Sequence, residues 1–138
     1  LFSLTRVHKQ MPQNPAHNPI DDWLSLTSVE GANHRVHEMT PDDKHIGNPA
    51  IRAIHGGVVT LFLERIAELE ISEEVAAPSR CAIVNTNVDF LRSAKLQPMF
   101  GAAVIVRRGR RLAVVNAKAW QDDPERPVGQ ATISLKIE

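Results

Sequence analysis

The sequence has one cysteine, no tyrosine, no net charge and no long apolar run, and each shortage closes off a class of protein. Cys81 alone cannot form an internal disulfide, which fits a chain that works in the reducing cytoplasm. Aromatic residues make up 4% and formal charge sums to zero at pH 7, so a nucleic acid would find neither stacking rings nor a basic face. No stretch approaches the roughly 20 apolar residues that cross a bilayer, and Leu1 to Gln10 lacks a signal-peptide core, so no membrane partner is expected. Metal ligation is not expected either. His34 and His37, three apart on an expected strand, point to opposite faces, His37-Glu38 lacks the second histidine of a zinc-protease helix, and Cys81 has no Cys or His close in sequence. Repeats and low-complexity segments are absent. With 138 residues the chain has the length of one ordinary domain and can bury a core unaided. Residues 1–18 read as an N-terminal extension and 19–138 as a single domain.

What the chain does have is the run from His55 to Ile71. Two glycines open it, Val58 to Leu63 is apolar apart from Thr60, and Glu64 stands inside it. A helix apolar all round is normally buried, so this run is predicted to be a central helix that enters a core and leaves it after Glu64, where Ile66, Ala67, Leu69 and Ile71 alternate with Arg65, Glu68 and Glu70. A buried helix start offers unpaired N–H groups and a positive dipole end, and glycine lets a ligand approach closely, so Gly56 and Gly57 make a candidate oxyanion or anion site. Gly57 and Glu64 are two turns apart, roughly 10 Å along the axis, and share a face. Within one chain they are too far apart to act on one bond; a second, antiparallel copy of the helix would bring them together.

Asn18-Pro19 with Asp21 and Asp22 predicts a short helix over 19–25, with Ile20, Trp23 and Leu24 on its buried side. Leu26–Glu30 and His34–Thr40 read as a strand pair around a turn at Gly31-Ala32-Asn33, and Pro41 to Pro49 as a breaker-rich loop leading to the helix. After Pro78-Ser79 come four strand-like runs: Cys81–Leu91, Met99–Val106, Leu112–Trp120 and Val128–Ile137. Short links predict an antiparallel meander. One curled sheet around one long helix, an α+β layout, satisfies this order, and its open edges invite pairing with a second subunit.

Gly47-Asn48-Pro49 before the helix, His55-Gly56-Gly57 at its start with Glu64 nine residues after the histidine, Asp89-Phe90-Leu91-Arg92 closing the next strand, and Arg108-Gly109-Arg110-Arg111-Leu112 at the hairpin stand in a telling order. From about Trp23 to Ile137 the chain resembles the hotdog-fold acyl-CoA thioesterases of the PaaI type. The resemblance implies a hotdog homodimer, or a homotetramer built from it, with antiparallel central helices and two active sites at the interface. It departs from the family in two places: Asn48 lies seven residues before His55, where the family commonly has an Asn closer and a Gly in the linker that here holds Arg52, and the hydroxyl that some members carry on the second strand falls near Ile83, with Thr86 the nearest.

In this reading the substrate is an acyl-CoA, coenzyme A is part of it, and no cofactor is needed. The Gly57 N–H holds the oxyanion, and Glu64 is either general base for water or a nucleophile forming a mixed anhydride. Leu61, Phe62 and Leu63 should raise the Glu64 pKa by desolvation. His55 and Asn48 would orient the carbonyl or the water, with Gly56 close to the substrate; the plainer alternatives are a capping histidine and a turn asparagine. Arg108 and Arg110, with Arg107, Arg111 and Arg92, form either a solvated hairpin tip or a grip on the nucleotide phosphates. Two competing functions use the same groove: a non-catalytic acyl-CoA-binding hotdog protein, and a hotdog enoyl-CoA hydratase or dehydratase using His55 and Glu64.

Overall fold

The structure, a computed structural model, describes residues 18–30, 35–74 and 81–138. The expected adaptor over 1–17, the turn at 31–33, His34 and Pro78-Ser79 lie outside these residues. Helix α1, Pro19–Trp23, begins as its sequence dictates, with Asn18 Oδ1 accepting the Ile20 N–H at 3.1 Å, and ends two residues early. Strands β1 (Leu26–Glu30) and β2 (Arg35–Met39) pair antiparallel. The expected loop over 41–49 is more ordered than its breakers suggest. Asp43–His45 forms one 3-10 turn, and β3 (Ile46–Asn48) and β4 (Ala53–Ile54) pair as a small hairpin that feeds directly into helix α2, Gly56–Glu74. Proline and glycine shorten these strands without abolishing them.

Strands β5 (Cys81–Phe90), β6 (Met99–Arg108), β7 (Leu112–Trp120) and β8 (Gly129–Ile137) complete a six-stranded antiparallel sheet in the order β1-β2-β6-β7-β8-β5. The four-strand meander is therefore corrected: β6, β7 and β8 form one, but β5 pairs with β8 at the far edge. The connection over 91–98 is too long for a hairpin and crosses the end of the sheet. It passes the start of α2, where the Ile54 N–H donates to the Ala94 carbonyl at 2.9 Å and Ala94 is buried.

Helix α2 lies on one face of this sheet. Small residues make that possible: Gly101 and Ala103 on β6, Ala113, Ala117 and Ala119 on β7, and Gly129 and Ala131 on β8 face the helix and let Phe62, Leu63 and Ile66 sink to zero exposure. Full burial of each such side chain contributes about 1.5–3 kcal/mol. Gly101 is the tightest point, because a Cβ there would stand 2.6 Å from Phe62 Cε1 and 2.8 Å from Ile66 Cδ1. Gly101→Val is expected to destabilise the fold by about 1–3 kcal/mol through overpacking, read as a lower urea midpoint; an unchanged midpoint would refute this packing.

The expectation of a helix buried all round is corrected too. Within the chain, Val58, Val59, Phe62, Leu63, Ile66, Ala67 and Ile71 are buried, whereas Gly57 is exposed and Leu61, Glu64 and Glu68 on the same face are only half-buried. Arg65, expected on the polar side, is buried. Its Nε and Nη2 donate to Asp21 Oδ1 and Oδ2 at 2.6 and 2.9 Å, clamping α1 onto α2. Burial works against its charge, but the Asp21 hydrogen bonds and charge, helped by Glu68, hold its pKa above the ordinary value.

Candidate active site

The β3–β4 hairpin delivers the chain to the helix start. Asn48 pairs opposite Ala53, and the His55 N–H donates to the His45 carbonyl at 2.8 Å. His45 is itself locked: its Nδ1 accepts the Asp42 N–H at 3.0 Å and its Nε2 lies 2.9 Å from the Trp23 carbonyl, so Nε2 carries the proton. Gly47 is required by close approach, since a Cβ there would lie 2.8 Å from His55 Cα. Arg52 adopts φ 49°, the left-handed region that glycine enters freely. Its exposed guanidinium bonds Asp43 at 3.0 Å.

At the helix start, the Gly57 N–H donates to His55 Nδ1 at 2.8 Å. This redirects the expectation for Gly57, because the amide expected to hold an oxyanion is already bonded. The Gly56 N–H, one residue earlier, has no hydrogen-bond partner among the described residues. The same bond fixes the ring: with Nδ1 accepting, the proton sits on Nε2, which has no partner among the described residues and is a second available donor. His55 is thus a helix cap whose other edge remains open. The Phe90 ring flanks Gly56, 3.3 Å from where a Cβ would stand.

Glu64 is half-buried and makes no hydrogen bond or ion pair with the described residues. Burial raises its pKa, by the cause expected from its apolar neighbours. Asn48 Oδ1 accepts the Ala50 N–H at 3.1 Å, so its carbonyl end serves the turn. Thr86 Oγ1 is buried without a partner among the described residues, on the part of β5 that pairs Thr86 with the core residue Ile133.

The arginines do not form one grip within the chain. Arg92 follows β5 beside the helix start and donates to the Pro127 carbonyl at 2.9 Å. Arg108 and Arg110 sit at the β6–β7 hairpin, where Arg111 meets Ile137 at the end of β8, whereas the helix start packs against Gly129 at its beginning. The length of β8 separates the two places, roughly 25 Å at about 3.3 Å per residue. Arg107, Gly109, Arg110 and Arg111 border an open groove of about 710 Å³ with Leu112 and Val114. The four guanidiniums of this hairpin have no carboxylate partner among the described residues.

Sequence reasoning weighed His37 only as a metal ligand and set it aside. It is fully buried on β2, its Nδ1 lies 2.8 Å from Ser28 Oγ, and its Nε2 has no partner among the described residues. Burial first, then the Arg35 and Arg65 charges, lower its pKa from the ordinary 6.5 to about 4. A depressed histidine pKa means the unfolded chain binds the proton first. The associated stability, on the order of 3 kcal/mol, is present above about pH 6.5 and is lost as pH falls from there to about 4. His37→Gln is expected to flatten that part of the stability–pH curve in chemical denaturation; an unaltered slope would contradict it.

No group of three or more His, Cys, Asp or Glu side chains among the described residues is placed to hold a metal, and no helix among them is long and apolar enough to cross a membrane. A family profile described as acyl-CoA thioesterase N-terminal domain matches residues 45–135. No curated protein matches the chain. Solved structures resemble it at low identity, which speaks for the fold. A Bacillus halodurans protein solved with CoA is 16% identical, with TM-score 0.80 over 91% of this chain and 82% of that one. A phenylacetic acid degradation-related protein of Ralstonia eutropha is 23% identical, with TM-score 0.78 over 88% and 92%. A thioesterase of Haemophilus influenzae is 18% identical, with TM-score 0.80 over 100% and 94%. The antiparallel sheet around one long helix is the hotdog fold.

Proposed function

We propose a mechanism from one premise: this chain belongs to the acyl-CoA thioesterase family, and it is a thioester hydrolase. The observation that carries the finer reading is the helix start, where the Gly56 N–H and the outward edge of His55 are both without partners while Glu64 stands two turns on, half-buried and unpaired among the described residues. Water attacks the thioester carbonyl as Glu64 takes its proton. The oxyanion is held by the Gly56 N–H and His55 Nε2–H, and its collapse breaks the C–S bond. The proton on Glu64 passes to the departing thiolate, leaving the free acid and CoA. Direct attack by Glu64, giving a mixed anhydride that water then opens, uses the same groups.

Gly56 and Glu64 are about 12 Å apart along the axis, so no single carbonyl reaches both within one chain. A homodimer with antiparallel helices removes the difficulty. Its support is the long outer edge of β5, which has no strand beside it among the described residues, and the exposed Val84 and Phe90 along it. Such a dimer also brings the hairpin arginines of one copy, Arg108 and Arg110, toward the helix start and Arg92 of the other, where unpaired guanidiniums suit nucleotide phosphates. Asn48, whose amide end has no partner among the described residues, completes the substrate side. The relative of Ralstonia eutropha suggests aryl-acetyl groups among the acyl chains to try.

Free-thiol release from a panel of short, medium and aryl acyl-CoAs tests this, with each acyl group also presented on pantetheine. Arg108→Ala with Arg110→Ala is expected to raise KM for the CoA esters and leave the pantetheine esters unaffected. Acyl-CoA binding without thiol release would favour a binding protein, and enoyl-CoA hydration without thiol release would favour a hydratase.

A further inference from the structure

Glu68 lies one helical turn beyond Glu64 on the same face of α2, and the mechanism above gives it no task. Residues four apart on a helix bring their Cβ atoms within roughly 5–6 Å, and both side chains are half-buried. The surroundings of this pair are unequal. Arg65 Nη1 lies 3.5 Å from Glu68 Oε2, and Arg65 is itself fixed by its two hydrogen bonds to Asp21. Ser72 Oγ donates to the Glu68 carbonyl at 2.8 Å. The groups that face Glu68 are Glu64 and Arg65 from α2, Asp21 from α1 and the Cys81 thiol from β5. Burial pushes the Glu68 carboxyl up, Arg65 pulls it down, and Glu64 and Asp21 push it up again, leaving it above the usual carboxylate range. Glu64 has burial alone as its cause. The Glu64 charge is one of the causes that raise Glu68, so the proton state of one carboxyl bears on the other.

We propose that Glu68 is a positioning residue for the hydrolysis: it shares the helix face of Glu64, is tethered to the Arg65–Asp21 pair, and its charge sets how strong a base Glu64 is. This rests on the role given to Glu64 above. Loss of the first proton leaves one negative charge on the pair. Loss of the second places a charge one turn from Glu64, which raises its proton affinity and its strength toward water. The net proton count of Glu68 does not change over a turnover, since the water proton goes to Glu64 and then to the thiolate.

The test is Glu68→Gln in the full chain. A ¹³C NMR titration of the Glu64 carboxyl is expected to show two inflections in the wild type and one in Glu68→Gln, with the upper midpoint lost and the remaining one close to the lower wild-type midpoint. The pH profile of kcat/KM is expected to rise in two steps in the wild type and in one in the variant, to a plateau about 3–10-fold lower. Glu68→Asp, which keeps the charge, should retain both inflections and serves where Glu68→Gln fails to fold. A single inflection at one midpoint in wild type and variant overturns the proposal, as does a coupled titration with unaltered kcat/KM. Undiminished turnover by Glu64→Gln overturns instead the reading of Glu64 on which the proposal stands.

Discussion

Glu64→Gln is expected to lower kcat/KM for acyl-CoA hydrolysis by about 10²–10⁴-fold, the range over which a positioned general base acts. Glutamine keeps the shape of the side chain and removes its capacity to take a proton from water. Glu64 makes no hydrogen bond or ion pair with the described residues, so the substitution breaks nothing that holds the fold. The raised pKa has two consequences of opposite sign. A base works when deprotonated, so the acid limb of kcat/KM should rise through a midpoint above the usual carboxylate range. For stability, a carboxyl raised in the folded state favours folding below its unfolded pKa, and that contribution is lost as pH rises through the folded value. At neutral pH, Glu64→Gln should therefore melt no lower than the wild type. Thiol release beside a thermal melt checks both; a variant that keeps activity within a few-fold, or one that loses activity only because it unfolds, would remove Glu64 from the chemistry.

Asp21→Ala is expected to cost about 3–5 kcal/mol of folding stability, the penalty for breaking a buried pair from one side. Arg65 would keep Glu68 at 3.5 Å but lose both of its short bonds to the carboxylate, with its guanidinium still enclosed. The pair's net contribution is a separate quantity. Asp21→Leu combined with Arg65→Met removes both charges and should recover most of the loss, because well-packed apolar side chains of similar volume replace a buried ion pair at little cost. Urea unfolding of the single and double variants decides it: equal losses in the two would mean that the pair itself, and not the stranded charge, carries the stability.

Strands β1 and β7 and the opening of α2 were legible in the sequence because period-2 alternation and paired glycines report local geometry directly. The partner of β5 was not. Alternation tells which side chains face the core but not which strand lies alongside, and the order of the six-stranded sheet depends on how the 91–98 connection passes the helix start. Arg65 looked solvated because its partner stands 44 residues earlier, on a helix too short to advertise its contacts. At the site, the spacing of His55, Gly56, Gly57 and Glu64 was plain. The choice between the two glycine amides was not, since it turns on which of them the His55 ring caps, a matter of side-chain direction.

The place of β8 in the sheet bears on how the chain comes to be folded at all. β8 lies between β7 and β5, so Cys81 to Phe90 meets its neighbour only through residues 129–137. During synthesis β5 leaves the ribosome well before that neighbour does, and it waits with α2 covered on one flank only. Closure of the sheet is thus a late, long-range event, the kind that slows folding and leaves an unpaired strand open to wrong partners meanwhile. The nascent protein should depend on chaperones until β8 has emerged, and a stop codon before Gly129 should yield an aggregating product instead of a shortened enzyme.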